Sequence, residues 1–324
     1  MYSEMKSKIE VALASFNGEK YIKDQLLSIF NQSMKVDQVI ICDDKSNDKT
    51  LVIIREFIDN GYPIKLYRNE QKLGYSLNFM KCIKLCNADY IFLSDQDDIW
   101  HINKVKKMMG FIKKFPDYLC WIHDCSITDS EMNIKINSKL KNIQRYGFME
   151  KSYVMGACMT IKNEALKYIY PFPKNIKDSG HDDWISFVLR STNNIKINRE
   201  SLLLYRRHND ITSAAKFNSL SKNNFFINIV LRLKNTFKNN NYKKNKLLIK
   251  KKFVIWSKLI KNNYLNSEYQ INTSHRVDSQ LLAFKMNKFN FFSRIHNIYK
   301  LKATGYYDYR SGYLSIFMDL FFNI

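Results

Sequence analysis

Residues 90–100 read Tyr90-Ile91-Phe92-Leu93-Ser94-Asp95-Gln96-Asp97-Asp98-Ile99-Trp100. An apolar run of strand length gives way at once to three acids in four positions. The run reads as a buried strand, and the acids fall just past its carboxyl end. Two carboxylates spaced i, i+2 at such a place can address one cation and a neighbouring hydroxyl. Hard divalent ions such as Mg²⁺ or Mn²⁺ take oxygen ligands of this kind and share them with substrate phosphates. The plain alternative is a solvated acidic turn that caps the helix around His101. Three acids so close together, followed by Ile99-Trp100, weigh against it.

Upstream, short β-rich runs alternate with helical patterns. Strands are expected at residues 9–14, 36–42, 64–68 and 90–93, and helices at 19–30, 47–59, 77–86 and 103–114. Strands separated by helices of this length indicate right-handed crossovers and a mainly parallel sheet. Ligands of such sheets collect at the carboxyl ends of the strands. The residues there are Ser15, Phe16 and Asn17, then Asp43 and Asp44, then Asn69, then the acidic run. Polar and acidic ends on apolar strands suit a cleft for a nucleotide and a metal. Downstream, strands are expected at 119–124 and 155–161 and a helix at 163–170, with Pro171 and Pro173 ending the regular pattern. A helix from Gly180-His181-Asp182-Asp183-Trp184 to about residue 190 and a strand at 202–205 lead into Arg206-Arg207-His208.

Each motif has a functional and a bland reading. In Asp43-Asp44-Lys45-Ser46-Asn47-Asp48, a carboxylate can accept the N–H of a nucleotide base, whereas Asn47 and Asp48 are explained by capping the next helix. Capping leaves Asp43 and Asp44 unexplained. Asp182 or Asp183, at a helix start beside Trp184, could be a general base; an acid is also ordinary there on electrostatic grounds. Arg206 and Arg207 suit a diphosphate. His208 is either a further metal ligand, a phosphate contact or a plain surface histidine. Phosphate-loop, dinucleotide, zinc-protease and serine-hydrolase motifs are absent from the sequence.

The 324 residues carry a net charge of +22, unevenly spread. Residues 1–210 hold 32 Lys and Arg against 26 Asp and Glu, while residues 211–324 hold 20 against 4. Two parts are therefore expected, residues 1–215 as the catalytic domain and 216–324 as a basic helical region. The second mixes Phe225, Phe226, Ile227 and Ile229 with Lys243, Lys244, Lys246 and Lys250, and residues 313–324 add Leu314, Phe317, Phe321 and Phe322. Such a region suits a helix lying in an anionic leaflet with lysines snorkelling outward. Its alternatives are a helical cap with a solvated basic side, or nucleic-acid binding, which the acidic cluster would oppose. The six cysteines (Cys42, Cys82, Cys86, Cys120, Cys125 and Cys158) lack metal-site spacing and read as reduced, semi-buried thiols. The sequence shows neither a secretory leader nor an uncharged apolar run of spanning length, so a cytoplasmic location is expected.

Five motifs in order resemble the family 2 glycosyltransferases of the GT-A fold, above all the rhamnosyltransferase-like branch that builds bacterial surface polysaccharides. They are Ala14-Ser15-Phe16-Asn17-Gly18-Glu19-Lys20-Tyr21-Ile22 with Gln25, Ser28 and Gln32; Asp43-Asp44-Lys45-Ser46-Asn47-Asp48-Lys49-Thr50; Ser94 to Trp100; Gly180 to Trp184; and Tyr205 to His208. The resemblance covers about residues 9–212. It implies a Rossmann-like α/β domain with Phe16 stacked on the base and Asp44 accepting its ring N–H. It also places Asp95 near ribose and metal, Asp97 on a Mn²⁺ or Mg²⁺ ion bridging the diphosphate, Asp182 as the base, and His208 in the metal shell. Ser15, Asn17, Asp43, Asn69, Gln96 and Arg206 complete the expected nucleotide site. The implied reaction inverts the anomeric carbon of a UDP- or dTDP-linked sugar on transfer to a glycan or polyprenyl-linked glycan, at the inner face of the cell membrane. Two departures stand out. Asp183 occupies a slot where the branch usually has an aromatic residue, so it competes with Asp182 for the base role, and Lys45 stands where Gly is common. A nucleotidyltransferase lacks support because no Gly-rich loop follows the first strand, and a decayed binding protein because all the expected acids are present.

Overall fold

The computed structural model describes residues 7–145, 149–170, 172, 180–207, 291–304, 307 and 316. Residues up to Lys139 and from Val154 to 207 form one compact unit; Leu140–Tyr153 belongs to a second, with the helix at 291–303. The division expected at residue 215 lies outside the described residues, as do His208 and residues 216–290 of the basic region.

The first unit is built on strands β1 (Ile9–Ser15), β2 (Gln38–Asp43), β3 (Ile64–Arg68) and β4 (Tyr90–Ser94). Helices α1 (Ile22–Phe30), α2 (Thr50–Asp59) and α3 (Tyr75–Leu85) make the crossovers. As expected, β1 runs parallel to both β2 and β4, and β2 parallel to β3. The strands are near-continuous runs of Ile, Val and Leu because both faces of such a sheet are covered; Val11, Leu13, Val39 and Ile41 are fully buried. Each helix offers one apolar stripe, such as Ile22, Leu26, Ile29 and Phe30 on α1.

Beyond β4 the chain adds β5 (Ile99–Trp100), α4 (Lys104–Lys114), β6 (Cys120–Thr128), β7 (Ile134–Ile136) and α5 (Lys139–Arg145). There follow β8 (Met159–Lys162), α6 (Leu166–Ile169), α7 (His181–Ser191), β9 (Ile195–Arg206) and, in the second unit, α8 (Phe291–Ala303). The sheet order is β3-β2-β1-β4-β8-β6-β9-β5, with β7 on β6. β8 is antiparallel to its neighbours β4 and β6, whereas β6 and β9 are parallel. Several boundaries differ from expectation. Residues 156–158 form a 3-10 turn rather than strand, and β9 begins at Ile195, well before residue 202. All six cysteines are free and fully rather than partly buried.

The D-D-x-S-x-D-x-T segment acts as a clasp. Asp48 accepts the Thr50 N–H at 3.0 Å and the Glu19 N–H at 3.0 Å, so α2 starts at Thr50 rather than at residue 47. Thr50 Oγ1 in turn accepts the Gly18 N–H at 2.7 Å. Lys45 has a φ of 66°, the left-handed region that Gly would occupy freely, so the departure at this position carries strain of about 1 kcal/mol.

Polar side chains of α1 and of the turn that follows it grip the acidic segment after β4. Gln25 is fully buried. With its amide oriented to suit its neighbours, its oxygen accepts from Ser94 Oγ at 2.8 Å and Trp100 Nε1 at 3.0 Å, and its nitrogen donates to the Asp98 carbonyl. Ser28 Oγ accepts the Trp100 N–H at 3.1 Å. Gln32 Nε2 donates to the His101 carbonyl at 2.9 Å, and its Oε1 accepts the Val105 N–H at 3.0 Å, satisfying an orphan donor at the start of α4. We expect Gln32→Ala, which leaves these groups unpaired, to destabilise the protein by about 1–3 kcal/mol. A urea titration measures it as a lower midpoint at unchanged slope; an unmoved midpoint would show that Gln32 does not hold the loop.

Candidate active site

Four parallel strands deliver their carboxyl ends to one edge of the sheet. Asp43, at the end of β2, is fully buried. It accepts from Ser15 Oγ at 2.9 Å and from the Ser46 N–H at 2.8 Å. The Asn17 N–H donates to Ser46 Oγ at 2.9 Å, and Asn17 Oδ1 accepts the Asn47 N–H at 3.0 Å. Ser15, Asn17 and Asp43 thus join the loops after β1 and β2 to each other.

Asp44 is also buried and organises the loop after β3. Its Oδ1 accepts from Asn69 Nδ2 at 2.8 Å and the Leu73 N–H at 2.7 Å, and its Oδ2 accepts the Gly74 N–H at 2.8 Å. Asn69 also donates to Asn78 Oδ1 at 2.8 Å and accepts from Lys81 Nζ at 2.8 Å. Every polar atom of the Asn69 amide therefore has a protein partner, so Asn69 sets the position of Asp44. Oδ2 of Asp44, bonded to the Gly74 N–H, has a second lone pair for a further donor.

Phe16 is half-buried, with Lys72 Nζ 3.7 Å from its ring centroid. Gln96 fixes its backbone from the acidic loop: the Phe16 N–H donates to Gln96 Oε1 and Gln96 Nε2 donates to the Phe16 carbonyl, both at 2.9 Å. Gly18 is required here, since a Cβ would collide with the Gln96 amide.

Asp95, Asp97 and Asp98 can bring one carboxylate oxygen each within 4.8 Å of one another. Asp98, to which the sequence reading assigned no separate role, is the most buried of the three. Its Oδ1 accepts the Arg206 N–H at 3.1 Å, while Oδ2 is buried without a hydrogen-bond partner. Burial first, then repulsion from Asp97 and Asp182, pushes the Asp95 carboxyl up to about 8. Burial and the charges of Asp97 and Asp95 push Asp98 well above the usual carboxylate range. Crowded hard oxygen donors, one of them orphaned, fit a divalent cation. Such an ion removes both the repulsion and the unmet acceptor.

Arg206, expected to contact a diphosphate, is turned to the loop itself. Its Nε donates to the Asp97 carbonyl at 2.9 Å and Nη1 to the Ser130 carbonyl at 2.6 Å, and its guanidinium lies 4.7 Å from the Tyr21 ring centroid. Arg206 with α1 thus restrains the acidic loop from two sides. Lys104, whose position in a helical pattern gave no hint of burial, is fully enclosed behind the loop, with burial lowering its ammonium to about 8.

The second carboxylate group comes from α7. Its apolar side is anchored by Trp184, fully buried, whose Nε1 donates to the Ile169 carbonyl at 2.9 Å. Asp182 and Asp183 lie in the first turn, Asp182 half-buried and Asp183 exposed. Asp182 is the one close enough to Asp95 to repel its charge. The structure therefore brings Asp95, Asp97, Asp98 and Asp182 together, with Phe16 joined to the same loop through Gln96.

The profile of the family described as Glycosyl transferase family 2 matches residues 10–170. A dTDP-rhamnosyl transferase, RfbG of Shigella flexneri, is 29% identical over 255 residues, which cover 72% of this chain and 88% of RfbG. Over a shorter stretch, the Escherichia coli UDP-Glc:alpha-D-GlcNAc-diphosphoundecaprenol beta-1,3-glucosyltransferase WfgD is 29% identical, covering 33% of this chain and 42% of that enzyme. Among solved structures, Staphylococcus aureus TarS 1-349 in complex with UDP-GlcNAc superposes with a TM-score of 0.53 at 16% identity, covering 97% of this chain and 81% of TarS 1-349. That likeness concerns the fold, an α/β sheet of mainly parallel strands flanked by helices. Profile, relatives and fold agree: the chain belongs to the family 2 glycosyltransferases, with the GT-A fold.

Proposed function

We propose that the protein transfers a sugar from a UDP- or dTDP-linked donor to a hydroxyl of a glycan or polyprenyl-linked glycan during cell-surface polysaccharide synthesis, with inversion at the anomeric carbon. The observation that carries this reading is the facing of Asp182 on α7 and the three carboxylates after β4. The dTDP-sugar in the name of RfbG and the lipid diphosphate in that of WfgD support the donor and acceptor classes.

The chain's own residues divide the work. Phe16 offers the half-buried ring on which the base stacks, and Lys72 leaves that face when it does. Asp44 Oδ2 accepts the ring N–H of the base with its remaining lone pair. Asp95, Asp97 and Asp98 hold Mn²⁺ or Mg²⁺, with His208, outside the described residues, as the further ligand that the sequence suggests. Such an ion supplies positive charge for the diphosphate as it leaves. Asp182 takes the proton of the acceptor hydroxyl as its oxygen attacks the anomeric carbon opposite the departing diphosphate, so one bond forms as the other breaks. Asp183, at the next position, is exposed.

The charge of residues 211–324 supports peripheral attachment to an anionic inner leaflet. Helix α8 adds Phe292, 80% exposed, and Tyr299, 71% exposed, one seven-residue step apart on one face and beside Lys300 and Lys302. No helix among the described residues is long and apolar enough to cross a membrane.

A panel of UDP- and dTDP-hexoses with Mn²⁺ or Mg²⁺, scored for slow donor hydrolysis, identifies the working donor. With that donor, Asp97→Ala is expected to abolish turnover and weaken metal-dependent nucleotide binding. Asp182→Asn is expected to lower turnover on the order of 10²–10⁴-fold with nucleotide affinity intact. Full turnover in Asp97→Ala removes the metal assignment, and in Asp182→Asn moves the base role to Asp183. For the membrane, Phe292→Ser with Tyr299→Ser is expected to weaken cosedimentation with phosphatidylglycerol vesicles at least fivefold. Equal binding of the wild type to phosphatidylcholine vesicles would count against the anionic leaflet.

A further inference from the structure

We infer that the turn Gly156–Cys158 is a positioning element that fixes Asp182 against the acidic loop, gripped by Lys104 on one side and His181 on the other. The inference rests on the reading of Asp182 as the base. The turn's place follows from the sheet. β8 runs antiparallel to β4, with Tyr90 opposite Lys162 and Phe92 opposite Thr160. Continued in the same register, the turn that precedes β8 comes level with Ser94 and Asp95, at the root of the acidic loop.

Lys104 holds it from behind. The side chain is completely buried, and Nζ donates to the Ala157 carbonyl at 3.0 Å. The same ammonium lies 3.8 Å from the centroid of Trp100, the residue that closes the acidic loop. An enclosed ammonium is costly unless its partners are in place, so the carbonyl of the turn and the indole are tied to one point.

On its other side the turn meets α7. A Cβ on Gly156 would lie 2.8 Å from His181 Nε2 and 3.3 Å from Asp182 Cβ. The imidazole has no room to retreat, because it stacks on Phe79 with centroids 3.9 Å apart and planes 18° apart. Both ring nitrogens are buried without a hydrogen-bond partner. His181 is therefore seated by shape, as a flat spacer between Phe79 and Gly156. Contacts run unbroken from Trp100 through Lys104, Ala157, Gly156 and His181 to Asp182. Displacing a reacting group by about 1 Å costs on the order of 10²-fold in rate, which is why a bare Gly is demanded here.

The test uses full-length Gly156→Ala and His181→Gln with the sugar nucleotide that the wild type hydrolyses fastest in the panel. Turnover is expected to fall on the order of 10²-fold in each. Affinity for UDP or dTDP with Mn²⁺ is expected to stay within about twofold, a split that general loss of structure does not produce. Placed on Asp182→Asn, Gly156→Ala is expected to lower the residual rate by less than about twofold, since it acts through Asp182. If Gly156→Ala does not fold, His181→Gln carries the same comparison. Turnover within about threefold of the wild type, or nucleotide affinity falling in step with turnover, overturns the positioning role. An active Asp182→Asn sinks the base reading instead, whereas an inactive Asp182→Asn beside fully active Gly156→Ala and His181→Gln sinks the positioning role alone.

Discussion

Everything at the mouth of this sheet depends on holding like charges together. Asp95, Asp97 and Asp98 approach within 4.8 Å of one another, and Asp182 adds a fourth carboxylate nearby. At an effective dielectric of about 20, each ionised pair at such a distance repels by on the order of 3 kcal/mol. A free loop would spread apart. This one is restrained by neutral polar groups and by an arginine: Gln25 and Ser28 from α1, Gln32 from the turn after it, and the guanidinium and backbone N–H of Arg206 from β9. The raised carboxyls of Asp95 and Asp98 express the same strain as a preference for bound protons. A doubly charged cation among these oxygens would relieve it more fully.

The restraints also explain why residues distant in sequence form recognisable motifs. Gln25 and Ser28 share one face of α1, Gln32 lies just past its C-terminus, and all three bond to the segment between Ser94 and Val105. Asp43, Ser46, Asp48 and Thr50 bind the loop after β1 through Ser15, Asn17, Gly18 and Glu19. The first two loops are thus one rigid body. Gln96 extends it to the acidic loop by bonding both backbone groups of Phe16. The Phe16 backbone and the carboxylate cluster are therefore linked through one glutamine side chain. The acids at this sheet edge are kept in register by a polar scaffold.

How far the sequence was legible follows from the range of each signal. Strands β1 to β4 are short, β-rich and mostly apolar runs with acidic or polar ends, so local pattern suffices to find them and to rank their last residues. β5 has only two residues, and β7 only three on an exposed edge, too short for any periodicity. The first half of β9, Ile195 to Glu200, alternates with Lys, Asn and Arg and is bonded to buried β6, a partner that no local pattern reveals. Asp44 and Asn69 looked like ligand contacts because polar residues at strand ends usually are. Much of their bonding capacity is spent on the loop after β3, which only the coordinates show. Lys104 and Gly156 carry no sequence signal, since burial of the one and the closeness of His181 to the other are matters of tertiary packing. Lys45 is the reverse case: a Gly-like position was suspected from the motif, and its positive φ confirms the requirement.

The central claim, that the loop after β4 stores affinity for a divalent ion which a nucleoside diphosphate then shares, is tested most directly on the unmodified protein. Free Mn²⁺ is followed by its paramagnetic resonance signal while the protein is titrated with and without UDP or dTDP. We predict loss of about one equivalent of signal per chain, tightened at least tenfold by one of the two nucleotides, together with loss of that nucleotide's binding in EDTA. Nucleotide binding of equal strength in EDTA, with no Mn²⁺ taken up at the same protein concentration, would contradict it.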